Sequence, residues 1–262
     1  MKYLHLTAIS LKTALAYRTQ FFTSLLSSII WLAVMWFVWT AVFSSSATDT
    51  IRGLTLPAMI TYMTISIAIK GLFESDNEAR IESLVKTGAI VTTLIRPIYY
   101  PFSVLFQELG PTILALIVRS IPIVLIAVFA FGIAPPASPL AFLLSVTMAW
   151  LISWSLVYLT GLWAFWTTGS IWGIRRVRRM VEELFSGATI PLYLFPGWLA
   201  GVAYLLPFQA MFNIPISIYT GLISGPAVLS ALSLQLGWVL ALGLACWAVW
   251  RRAERKMVIQ GG

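Results

Sequence analysis

The chain has 262 residues, of which 60% are hydrophobic and only 10% are charged, against about 45–50% and 25% in ordinary globular proteins. Because so few charged side chains cannot cover the surface of a water-soluble protein of this size, the composition predicts a protein of the lipid bilayer. A single cysteine excludes a disulfide scaffold, and an excess of 17 basic over 9 acidic residues is the balance expected at a cytoplasmic membrane face rather than for nucleic-acid binding.

The first predicted element is an amphipathic segment, 1–20, in which Leu4, Ala8, Leu11 and Leu15 recur at helical spacing. We expect it to lie on the inner leaflet as an interfacial helix. Runs of about 20 apolar residues are long enough to cross a bilayer, and they predict an all-α polytopic membrane protein with six transmembrane helices in one domain, 1–262. The six spans are expected at about 21–43, 54–73, 98–132, 140–166, 178–196 and 227–250, with a broken, re-entrant extracellular stretch over 197–225.

The lysines and arginines predict the orientation of these spans. Fifteen of the 17 basic residues precede the first span or follow the second, fourth and sixth spans, which places them on one side of the membrane. Arg52 falls on the other side and Arg119 falls inside the third span. The positive-inside rule therefore predicts that both termini are cytoplasmic.

Residues for catalysis or nucleotide binding are absent from the sequence. His5 is the only histidine and Cys246 the only cysteine, so neither a zinc site nor a nucleophile with a histidine base can be assembled. No lysine follows a glycine, which excludes a phosphate-binding P-loop. We therefore predict a protein that is not an enzyme, and if ATP powers its function, the ATPase must be another chain.

The segment 74–96, between the second and third spans, has the properties of a short cytoplasmic helix. Its charges are mixed, an apolar strip recurs at helical spacing, and Gly88 suits a helix end. Such a helix fits a groove on a cytoplasmic partner, but a solvated loop that merely carries positive-inside charge explains the same composition. The candidate residues for coupling to a partner are Asp76, Glu78, Arg80, Ile81, Glu82, Leu84 and Val85.

Ionisable residues near or within the spans are the other candidates for function. Glu108 and Arg119 are eleven residues apart, so a straight helix presents them on one face, about 16 Å apart along its axis. A charge at this depth costs at least about 2.5 kcal/mol, so each residue pairs with a polar group on another helix, snorkels to the interface, or lines a translocation path. Thr112 is a further candidate for that path. Glu182 and Glu183, at the cytoplasmic mouth of the fifth span, either pair with the arginines before them or act as a cytoplasmic gate.

Several stretches carry a resemblance to a known family. They are LVKTGAI at 84–90 followed by LIRP at 94–97, SGATIPL at 186–192, FPGWL at 195–199, LPFQ at 206–209, and Pro215 with IYTG at 218–221. With the order of the predicted elements, they make the whole chain resemble the permease subunits of type-2 ABC exporters. Within that class the chain is most similar to a subfamily long labelled a domain of unknown function, which includes drug and viologen exporters.

The resemblance implies a permease of the bacterial plasma (inner) membrane that forms a pathway with a second copy or a sister permease. Residues of about 75–86 would be the coupling helix that docks two ATP-binding subunits, which would bind ATP and magnesium, so that this chain carries no cofactor. A hydrophobic or amphipathic substrate, drug-like in size, would be moved by alternating access, and no nucleic acid is a partner. Two alternatives stay open, namely a stand-alone ion-coupled carrier that uses Glu108 and a structural membrane protein such as an immunity factor.

Overall fold

The protein is helical in its computed structural model, which describes residues 2–16, 18–46, 50–95, 97–167 and 169–260, without the side chains of Arg18 and of residues 257–260. Arg96, which the sequence places among the cytoplasmic basic residues, lies outside the described residues. The α-helices run in chain order as α1 Lys2–Ala16, α2 Arg18–Ser44, α3 Leu56–Phe73, α4 Asn77–Lys86, α5 Ile90–Leu94, α6 Tyr100–Ala115, α7 Ile121–Phe131, α8 Pro139–Leu162, α9 Trp172–Phe185, α10 Gly197–Tyr204, α11 Asn213–Thr220 and α12 Pro226–Gln260.

Five helical stretches in the described part of the chain are long and apolar enough to cross a membrane. A sixth is added if the bent pair Gly197–Tyr204 and Pro207–Thr220, which meet at 76°, is counted as one span. The prediction of an all-α polytopic membrane protein is therefore confirmed. The five stretches are Thr19–Ser44, Leu56–Lys86, Tyr100–Phe131, Pro139–Phe165 and Pro226–Lys256.

The structure differs from the prediction of a fifth helical span over 178–196. Helix α9 ends at Phe185, and the next residues are irregular apart from a short 3-10 turn at Leu192–Leu194. Two features end the helix there, because Gly187 adopts a left-handed φ of 81° and Pro191 lacks a backbone donor. We call residues 186–196 the strap. The predicted re-entrant stretch 197–225 contains α10, a 3-10 turn at Pro207–Ala210, and α11.

Helix α3 lies at the centre of the fold. It packs against α2, α7, α8 and α11, and most of its length is buried. Its sequence is apolar on every side, which suits a helix surrounded by others rather than one facing lipid. Met59, Tyr62 and Ile65 are among the largest fully buried side chains. Polar groups on α3 therefore meet partners within this chain.

Helix α1 packs closely along α6, which joins the predicted interfacial helix to the third span. The Thr7 hydroxyl donates a hydrogen bond to the carbonyl of Phe106 over 2.7 Å. At Gly110 the helices nearly touch, because a Cβ atom there would lie 2.5 Å from the backbone nitrogen of Leu11 and 2.8 Å from the carbonyl carbon of Ser10. Only glycine fits this crossing without moving one backbone.

Candidate functional site

An open cavity of about 950 Å³ lies among α1, α2, the end of α3, α6 and α9, and we call it the inner cavity. It brings together six site residues that the sequence considered in three separate groups, namely two residues of the predicted coupling segment, the pair in the third span and the pair on α9. Its apolar wall includes Leu6, Ile9, Phe21, Pro111 and Phe212. Its charged lining consists of Lys70, Glu74, Asp76, Arg80, Glu108, Arg119, Arg178, Arg179, Glu182 and Glu183.

Glu108 joins the cavity wall to the predicted coupling helix. Its carboxylate is buried and accepts a hydrogen bond from the side-chain amide of Asn77, the first residue of α4. The neighbouring Gln107 side-chain oxygen accepts a second bond from Arg80 Nη1 at 2.5 Å. Two consecutive residues of α6 therefore hold two residues of α4.

Arg119 lies in a π-helical turn, Leu116–Ser120, that separates α6 from α7. Its Nε donates to Ser28 Oγ at 2.8 Å, and its Nη1 is 2.6 Å from a carboxylate oxygen of Glu74. Gly71 makes room for this guanidinium, because a Cβ there would lie 3.2 Å from Arg119 Nε. The π turn also means that the straight-helix geometry predicted for Glu108 and Arg119 does not apply, since a π turn shifts the register of the residues that follow it.

Thr112 is not among the residues that line the inner cavity. Its hydroxyl donates to the carbonyl of Glu108 at 2.9 Å and accepts from the indole nitrogen of Trp150 at 3.1 Å. These contacts make Thr112 a link between α6 and α8. A place for it in the translocation path stays a prediction.

The two glutamates of α9, a helix outside the five candidate spans, have different partners. Glu182 pairs with Arg178, and burial raises its pKa although Arg178 opposes this effect. Glu183 pairs with Lys70 at 2.7 Å. Burial would raise the pKa of Glu183, but hydrogen bonds from Lys70 and Thr189 outweigh it and lower the pKa. The ion pair with Lys70 thus ties α9 to the C-terminal end of α3.

The predicted coupling residues differ in how deeply their side chains are buried. Glu78 and Ile81 are fully buried and Glu82 is nearly so. Ile81 packs against α8 at Gly161, where a Cβ would lie 2.8 Å from its Cδ1. Asp76 is exposed, and Arg80, Leu84 and Val85 are half-buried.

The buried carboxylates of α4 bind α9 and the turn before it. Glu78 accepts hydrogen bonds from Arg175 Nε at 3.0 Å and Arg178 Nε at 2.9 Å. Glu82 accepts from the backbone nitrogen of Ile171 at 3.1 Å. The sequence predicted that α4 and α9 are both charged segments. It did not predict that their charged residues contact one another.

The strap follows α3 in the reverse direction. Its Gly187 and Ala188 carbonyls accept hydrogen bonds from Tyr62, at 2.8 Å, and Ser66, at 2.5 Å. Farther along, Arg52 Nη1 donates to the carbonyls of Tyr193 and Phe195 at 2.8 and 3.1 Å. Non-helical backbone at membrane depth is tolerated where the protein itself supplies such partners. Nothing in the sequence indicated this role of Arg52, Tyr62 and Ser66.

The sequence of the chain is similar to a known protein family. Residues 29–261 match the family described as "ABC-2 family transporter protein". No curated protein matches the chain significantly.

Proposed function

Because the chain belongs to the ABC-2 family of transporter proteins, we propose that it forms, with a second permease, the membrane pathway of an ATP-driven exporter in a bacterial plasma membrane. It is a multi-pass membrane permease, the non-catalytic subunit of such a transporter, and ABC-2 permeases generally pair with ATP-binding subunits. In this proposal two ATP-binding subunits bind ATP and magnesium and supply the energy for transport.

The contacts between α4 and the wall of the inner cavity carry this proposal. Asn77 binds Glu108 and Arg80 binds Gln107, so a displacement of α4 acts directly on α6. A partner can reach α4 where the helix ends, since Ser83, Lys86 and the turn after them are exposed. We infer that this end and the next turns are the docking surface, made of Ser83, Lys86, Thr87, Gly88, Val91 and Ile95.

Alternating access is the mechanism that we propose, and these contacts support it. ATP can favour one state of the permease only if the closed ATP-binding subunits bind that state more tightly. In our proposal the closed subunits move α4, and the inner cavity then changes from inward-facing to outward-facing. Glu182 and Glu183 line the cavity beside Arg178 and Lys70, where a cytoplasmic gate would have to open.

The lining of the inner cavity supports an amphipathic rather than a purely hydrophobic substrate. Apolar side chains of α1, α2 and α6 form one part of the wall, and charged and neutral polar side chains form much of the remainder. A purely hydrophobic molecule would strip water from those charges without replacing its hydrogen bonds. A drug-like molecule with one apolar and one polar or charged end meets both parts of the wall.

Purification of the tagged chain from its native membrane tests the proposed function. We expect ATP-binding subunits to co-purify and the complex to hydrolyse ATP. The double variant Lys86→Glu/Val91→Asp, on the docking surface, should lose the subunits yet remain in the membrane, whereas Phe129→Ala, an exposed residue at the far end of α7, should keep them. Transport by the purified chain alone in liposomes, driven by an ion gradient, would contradict the proposal and favour the ion-coupled carrier.

A further inference from the structure

Glu78 is a buried carboxylate that the proposed docking surface does not use. Its side chain is 0% exposed, with Arg175 and Arg178 on its two oxygens and Arg179 Nη2 at 3.9 Å. A fully buried side chain cannot touch a partner protein, so any part of Glu78 in coupling, for which the sequence made it a candidate, must be indirect. Its charge is satisfied entirely by α9, which makes α4 and α9 one unit at this point.

Helix α9 leads from this ion pair to the C-terminal end of α3, where the strap begins. Four residues after Arg178 the helix reaches Glu182, and the next residue, Glu183, binds Lys70 of α3. The chain then continues as the strap, whose carbonyls bind α3 and Arg52. Arg52 lies in the turn of a small antiparallel hairpin, Thr50–Ile51 with Leu54–Thr55, that precedes α3. After the strap the chain enters the bent pair α10 and α11.

We propose that Glu78 is a positioning residue, through which movement of α4 is carried by α9 and the strap to α10 and α11. This inference rests on the proposed function, because it needs ATP-binding subunits that move α4. It predicts that loss of the Glu78 charge separates ATP-driven movement from assembly: the subunits still dock, but the outer segment no longer responds.

A cysteine reporter on the outer segment measures this response. The native Cys246 is buried and is replaced by alanine, and Leu205, which is 78% exposed at the end of α10, becomes the single cysteine. The complex, purified with its ATP-binding subunits, is labelled with a membrane-impermeant maleimide in the absence of nucleotide and after trapping with ATP and vanadate. We expect the labelling rate to change on trapping.

The variant Glu78→Gln keeps the size of the side chain and removes its charge. We expect co-purification of the ATP-binding subunits to persist while the nucleotide-dependent change in labelling falls by about fivefold or more, the lower range of ordinary coupling between sites. Glu78→Asp, which keeps a carboxylate, should restore part of the response. The matched control is Arg176→Gln, which removes a neighbouring exposed charge from another face of α9 and should leave the response unchanged.

Loss of a buried charge partner can prevent folding, so Arg175→Gln serves as a second variant, because Glu78 then keeps Arg178. The inference is overturned if the nucleotide response is unchanged in Glu78→Gln. If that variant does not fold, an unchanged response in Arg175→Gln overturns it. Loss of the ATP-binding subunits from the same variant also overturns it, because Glu78 would then act in docking. If no ATP-binding subunit co-purifies with the unaltered chain, the proposed function itself fails.

Discussion

The charged side chains of the third span show how single residues are accommodated at depth. Glu108 is held by Asn77, and Arg119 by Ser28 and Glu74, so each charge has a polar partner on another element. Pairing of this kind lowers the cost of burying an ionised group. Both residues still line the inner cavity, where a substrate could compete for their partners.

At the residue scale we predict that Glu108→Gln preserves ATP-driven transport. The glutamine oxygen can still accept the hydrogen bond from Asn77, so the free energy of unfolding should change by less than about 1 kcal/mol. Glu108→Leu, in contrast, leaves the Asn77 amide unpaired and should cost about 1–3 kcal/mol. Uptake of a fluorescent amphipathic dye into inverted vesicles, with thermal unfolding of both variants, checks this. Loss of transport in Glu108→Gln would favour a proton-coupled carrier.

At the scale of elements, the fold depends on helices and irregular segments that meet α3 and α6. The strap needs donors from α3 because its backbone carbonyls are not used in a helix. The α1–α6 crossing needs a glycine because the two backbones nearly touch. Both contacts join parts of the chain that composition alone treats as separate.

The α1–α6 crossing predicts a position-specific effect of adding a methyl group. Gly110→Ala forces the helices apart and should destabilise the protein by about 1–3 kcal/mol, the usual cost of overpacking. Gly237→Ala on α12, where a Cβ meets nothing within 4 Å, should be neutral or slightly stabilising. Thermal unfolding in detergent compares the two variants. Equal melting temperatures would mean that α1 does not pack on α6 in this way.

The strap predicts a similar contrast between two hydroxyls of α3. Ser66→Ala removes the donor to Ala188 and should cost about 1–3 kcal/mol, because a buried carbonyl loses its partner. Thr61 is half-buried and donates to the Pro57 carbonyl of its own helix, so Thr61→Ala should have little effect. The midpoint of denaturation reports the difference. Equal midpoints for the two variants would mean that the strap is not bound to α3 through Ser66.

At the scale of the whole molecule, the two ends of α3 have different surroundings. Its inner end meets the inner cavity through Lys70 and Glu74, and its outer end is joined to the strap through Arg52. The strap therefore runs from the end of α3 at the inner cavity to the end beside Arg52. We predict that the strap is a non-helical crossing and that α10 and α11 enter the membrane from the Arg52 side, which would keep an even number of crossings.

This arrangement predicts the topology of the chain in the membrane. In a Cys246→Ala background, Leu222→Cys should react with a membrane-impermeant maleimide on intact cells, since residue 222 lies exposed between α11 and α12. Thr87→Cys, exposed after α4, should react only after the membrane is opened. The opposite pattern would reverse the orientation and place the termini outside.

The sequence by itself determined the membrane class and the long apolar helices, because both depend on local composition. The charged character of α4 and α9 was equally local, and the family resemblance agrees with the ABC-2 match. Tertiary structure decided which charges meet, since the partners of Glu78 lie 97 and 100 residues away. It also decided that residues 186–196 are irregular, because α3 and Arg52, which are distant in the sequence, supply the hydrogen-bond donors that make such a backbone tolerable.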